Sequence, residues 1–138
     1  MQRLVLLVFM IPITAVGQGV GDRPLCFRLT YDSARYGATP DMFPASFVLM
    51  PGTDRGEVRL PDSVAFNYYR PGSGATSWTY RESQFSLMIE AGESGVSFYL
   101  VEHGDSLIGH ARHYTDAVRP TEPTMRVVAR RYTCKALE

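Results

Sequence analysis

The chain has 138 residues, 45% apolar and 20% charged, with 12 Gly and 9 Pro, the proportions of one ordinary globular domain and not of a disordered or repeat-built chain. Its 14 basic residues, all but one of them Arg, balance 14 acidic ones. The broad positive field that nucleic acid or an anionic membrane surface requires is therefore missing, and neither is expected as a partner.

At the N-terminus, Arg3 precedes the apolar run Leu4–Ile11, which is followed by Pro12 and the small-residue stretch Ala15-Val16-Gly17. This pattern reads as a secretory signal peptide over residues 1–17, with cleavage after Gly17. The run is too short to span a bilayer, which needs about 20 helical residues, so no membrane insertion is expected after cleavage. No Cys stands at the cleavage region to accept a lipid. Removing Arg3 leaves 13 basic against 14 acidic residues, so the processed chain stays close to neutral. The expected location is exported, in a bacterial periplasm or outside the cell.

From Pro24 onward, no window of a dozen residues carries a helical apolar period free of Gly or Pro. Short alternating runs occur instead, at intervals of about ten residues, the spacing of an all-β antiparallel barrel or sandwich. The first run sets Leu25, Phe27, Leu29 and Tyr31 on one face and Cys26, Arg28 and Thr30 on the other. The loop Asp32–Ala45, containing Gly37, Pro40 and Pro44, is long enough to fold over one end of a barrel or to carry a short helical turn. Further runs are Phe47–Leu49, Glu57–Leu60, Val64–Tyr69, Ser77–Arg81, Phe85–Ile89, Val96–Val101, Leu107–Tyr114 and Met125–Thr133, so that roughly nine strands are predicted. Turn residues such as Pro51-Gly52, Gly92-Glu93 and Gly104-Asp105 separate them, and links this short force antiparallel neighbours. A single β-barrel domain over residues 24–134 is the preferred architecture, with a β-sandwich as the alternative.

Cys26 lies in the first run and Cys134 at the end of the last, and both have the parity of the outward face. In an oxidising compartment they should form a disulfide clasping first and last strands on the outside of a closed barrel. A loop of more than a hundred residues closed in this way is worth roughly 4 to 5 kcal/mol in the chain-entropy picture.

A chain that opens with a strand, meanders through eight or nine and ties its ends together resembles the small calycin barrels, the lipocalins and their relatives. Arg131, in the last strand with interior parity, is similar to the last-strand Arg of lipocalins that packs across the closed barrel end. The competing reading of Arg131 is a side chain at a strand end that snorkels to water. The resemblance implies a small apolar ligand inside the barrel.

Phe66, Tyr68, Trp78, Tyr80, Phe85 and Phe98 are the aromatic residues able to floor such a pocket, and His113, with the parity of Leu107 and Ala111, points inward near its mouth. The same residues could equally fill a solid core. In that case outward Tyr69, Tyr99, Tyr114 and Tyr132, with Arg112 and Arg130, make a protein-contact surface of the composition interfaces favour.

Catalysis is not expected. Gly104-Asp105-Ser106-Leu107 spells the short motif of one serine-esterase family, but it sits among strands with no Asp-x-x-His after it, and it reads as a hairpin turn. His103, His110 and His113 are the only histidines, and on one strand positions 110 and 113 face opposite sides, so neither a metal site nor a general base is predicted. No cofactor is implied.

Overall fold

The computed structural model describes residues 20–61, 76–115 and 121–135. The expected signal segment and the expected strand Val64–Tyr69, with Phe66 and Tyr68, lie outside the described residues.

Eight strands follow in chain order: β1 (Leu25–Arg35), β2 (Ser46–Leu49), β3 (Arg55–Arg59), β4 (Thr76–Arg81), β5 (Gln84–Ala91), β6 (Ser94–His103), β7 (Ser106–Thr115) and β8 (Thr124–Tyr132). Each pairs antiparallel with the next, and β8 pairs back onto β1, closing an eight-stranded meander barrel. Every strand run read from alternation within the described residues appears. β3 pairs directly with β4, with Gly56 opposite Trp78.

Period-2 alternation places one apolar ladder inside. Phe27 faces Phe47, Leu49 faces Val58, Trp78 faces Leu87, Leu87 faces Phe98, Phe98 faces Ala111, and Leu107 faces Ala129, which returns to Leu29. All of these are buried and belong to one core cluster. Gly56 is required where it stands, since a Cβ there would lie 2.5 Å from Nε1 of Trp78. The indole N–H donates to the Met50 carbonyl at 3.0 Å, so the ring is held flat over the glycine.

Three two-residue hairpins link β4 to β7. Gly92-Glu93 and Gly104-Asp105 have positive φ at the first position only, as type II′ turns require, and Glu82-Ser83 has it at both, as a type I′ turn requires. The Gly-Asp-Ser-Leu tetrapeptide is thus a turn followed by the first residues of β7.

The barrel has two unlike ends. One carries the long connections, among them the β1–β2 loop, which both predicted alternatives describe: it holds a 3-10 turn at Pro40–Met42 and folds inward, burying Ala38 and Phe43 in the core. Tyr31 stacks on Phe43 with ring centroids 5.3 Å apart and donates its hydroxyl to the Pro44 carbonyl at 2.6 Å.

The other end carries the β2–β3 link, the Glu82-Ser83 and Gly104-Asp105 turns and both termini. There Cys26 and Cys134 form a disulfide, with the two Cα atoms 5.4 Å apart, and Cys26 stands outside the core cluster, as its outward parity requires. The packed unit also starts before the expected residue 24, because Val20 is buried and Gly21 and Gly52 exchange backbone hydrogen bonds. This Gly-flanked segment has no alternation by which it could be read as a strand.

Candidate functional site

Trp78, Phe85 and Phe98 are buried in the core, and Tyr80 is half-buried against it. Trp78 meets Phe85 edge-on at 5.8 Å and Tyr80 meets Phe85 at 4.7 Å. Phe47 of β2 touches Phe98 of β6 at 5.8 Å, and Phe27 packs on Phe47 at 5.5 Å. Strands β2 and β6 are four apart in either direction around the barrel, so this contact crosses its full width. At that level rings from opposite walls meet in the middle.

The remaining expected interior residues separate. His113 does face inward, opposite Val96, and is buried, with its backbone N–H on the Pro123 carbonyl at 2.9 Å. Arg131 has interior parity opposite Phe27 but is exposed, as a side chain at a strand end reaching water would be. Tyr80 donates to Glu102 at 3.1 Å, and its phenol is pushed above its ordinary value chiefly by burial, with the Glu102 carboxylate adding to the rise and a Ser83 hydrogen bond opposing it. His110 points outward between Tyr99 and Arg126, so it and His113 do occupy opposite faces.

The outer wall of β6, β7, β8 and β1 carries a different arrangement, which the register lays out in rows. Nearest the disulfide end runs Ser46–Arg28–Arg130–Ser106. The next row is Thr30–Val128–Ile108–Val101, and the third is Asp32–Arg126–His110–Tyr99. Val101 is 50% exposed and Tyr99 45%, while Ile108 and Val128 are half-buried.

The third row neutralises itself, because Arg126 bonds Asp32 at 3.0 Å. Higher on the wall Arg112 is likewise tied to Glu122 at 3.0 Å. In the first row Arg28 and Arg130 occupy directly paired positions across the β1–β8 seam, flanked by two serines. Among the described residues neither has a carboxylate within ion-pair distance, although Arg28 lies over the Tyr132 ring at 5.2 Å. Like charges at directly opposed positions are destabilising, so the sheet keeps this pair at some cost to itself.

Of the contact residues expected from sequence, Tyr99, Tyr132 and Arg130 fall on this wall together. Tyr114 instead lies down over Gly95, where a Cβ would be 2.4 Å from its hydroxyl, and Arg112 is occupied by Glu122. Tyr69 is outside the described residues. Arg28, Val101, Ile108 and Val128 were not singled out from sequence. Their outward parity could be read from each strand alone, but their adjacency depends on the register between strands.

Among the described residues no group of three or more His, Cys, Asp or Glu is placed to hold a metal ion. No family model, no curated protein and no solved structure matches this chain.

Proposed function

We propose that the chain is an exported, non-enzymatic β-barrel domain that docks a protein partner through the outer wall of β6, β7, β8 and β1, and that the partner presents acidic side chains around an apolar contact. The observation that carries this reading is the cross-strand pair Arg28–Arg130, without an acid among the described residues, beside the row Val101–Ile108–Val128, whose Val101 is exposed and whose other two members are half-buried. An apolar strip flanked by Tyr and Arg has the make-up of an interface centre and its rim. Closure of the barrel removes free strand edges, so recognition must use side chains on the wall and not strand addition. Export is supported by the leader-like N-terminus and by the disulfide.

The interior favours the same choice over a small apolar ligand, because the Phe47–Phe98 contact occupies the middle of the barrel. The test compares capture from the exported fraction by the wild-type protein and by an Arg28→Glu, Arg130→Glu variant with an unchanged melting temperature. The expected result is a defined acidic partner retained by the wild type and lost by the variant. Identical captured sets from both proteins would overturn the reading. A native mass spectrum showing a small molecule of a few hundred daltons, released on denaturation, would transfer the assignment to a ligand-binding barrel.

A further inference from the structure

At the disulfide end, three separate segments wall a cleft of about 580 Å³: the entry to β1 with Arg23, the β6–β7 turn with Asp105, and the exit from β8 with Arg131, Tyr132, Thr133 and the Cys26–Cys134 disulfide. The size lies within the range of about 300–1,000 Å³ typical of small-molecule sites and far exceeds what a bare ion needs. Among the described residues neither Arg23 nor Arg131 has a carboxylate within ion-pair distance, and Asp105 has no cation within it. Two arginines and one aspartate, none with an ion partner among the described residues, therefore line one concave surface. Arg28 and Arg130 on the adjoining wall add to the positive potential at this end of a molecule whose net charge is zero.

We infer that this cleft binds a small organic oxyanion that also carries a hydroxyl or amine donor. The planar fork of each Arg is suited to two parallel hydrogen bonds with a carboxylate or phosphate. The Asp105 carboxylate, which accepts, and the Thr133 hydroxyl, which both donates and accepts, make the side of the site suited to the ligand's hydroxyl or amine. The disulfide ties the β1 and β8 walls of the cleft together before any ligand arrives, with Cys134 Sγ lying 3.5 Å from the Pro24 carbonyl. The cleft meets the proposed partner wall at Tyr132, but its own arginines, Arg23 and Arg131, are not among the residues of that wall, and the inference does not depend on it.

The test is a ¹⁵N–¹H NMR titration of the oxidised protein at low salt with two probes, glycerol 1-phosphate and glycerate, and with glycerol and inorganic phosphate as controls. The expected result is saturable shifts at Asp105, Tyr132 and Thr133 with at least one organic anion, little response to glycerol, and binding roughly tenfold weaker or worse in an Arg23→Gln, Arg131→Gln variant. The anion that binds more tightly distinguishes phosphate from carboxylate as the recognised group. Both arginines are exposed, so the variant is expected to keep the wild-type melting temperature. The inference is overturned by the absence of saturable shifts, by an equal response in the variant, by inorganic phosphate binding as tightly as either organic anion, or by shifts centred on Arg28 and Arg130.

Discussion

Tyr31 illustrates how one side chain can close an end of the barrel. Its ring stacks on Phe43 and its hydroxyl holds the Pro44 carbonyl, so a single residue of β1 anchors the loop folded over that end. Burial raises its phenol well above the ordinary value of 10.0, which means the native state holds that proton more tightly than the unfolded chain does. The corresponding stability is fully present below pH 10 and is lost as pH rises through the raised native value. Unfolding free energy measured by denaturant titration should therefore fall above pH 10. Tyr31→Phe should cost about 1 kcal/mol at neutral pH through the lost hydrogen bond. It should also make the alkaline fall shallower, leaving the part that Tyr80 contributes. An alkaline profile unchanged by the substitution would show that Tyr31 is not the group responsible.

The same scale shows what can be read from residues alone. The inward positions of Trp78, Phe85, Phe98 and His113 follow from parity, which is local and survives any choice of partner strand. Whether those rings leave a gap does not follow, because the Phe47–Phe98 contact joins strands on opposite sides of the barrel. The Arg28–Arg130 pair has the same origin. Each residue is visibly outward, but they become neighbours only through the β1–β8 register. A neutral composition likewise conceals a local crowd of cations.

Among the elements, the turns account for most of the correct reading. Gly92 and Gly104 occupy positive-φ positions where glycine pays no steric penalty, and both hairpins could be placed from sequence. Glu82-Ser83 is the exception, with φ of 52° and 64° on two residues that have side chains. An L-residue in the left-handed region costs about 1–2 kcal/mol, less for Asn, so Glu82→Asn should raise stability by about 0.5–1 kcal/mol. The midpoint of denaturant unfolding reports the gain, and a lowered midpoint would mean that Glu82 makes a compensating contact. β1 was harder to delimit. Alternation ends at Tyr31, yet pairing with β8 resumes at Arg35↔Thr124 after an irregularity that contains Ser33 at φ 51°. A bulge breaks the period on which sequence reading depends, although the strand continues.

For the whole molecule, the closing seam between β1 and β8 joins the two ends of the chain, and the disulfide reinforces that seam. Cys26→Ser should lower stability by about 4–5 kcal/mol in oxidising buffer. For a domain of this size that corresponds to a fall in melting temperature on the order of 10–20 °C. Calorimetry with and without reductant provides the check: the reduced wild type should melt with the variant, and an oxidised variant melting with the oxidised wild type would sink the stapled-seam account.

The position of the bridge also determines how the molecule would carry a mechanical load. Tension applied between the termini enters at Cys26 and leaves at Cys134, passing through one covalent bond while the chain between them is bypassed. In the oxidised state a pulled molecule should lengthen only by the segments outside the bridge. Reduction under tension should then release a sudden extension, roughly 350–390 Å for the separation of 108 residues at the reach of an extended chain. Held by its ends, this barrel is a closed link whose fold bears force only after the bond is cut.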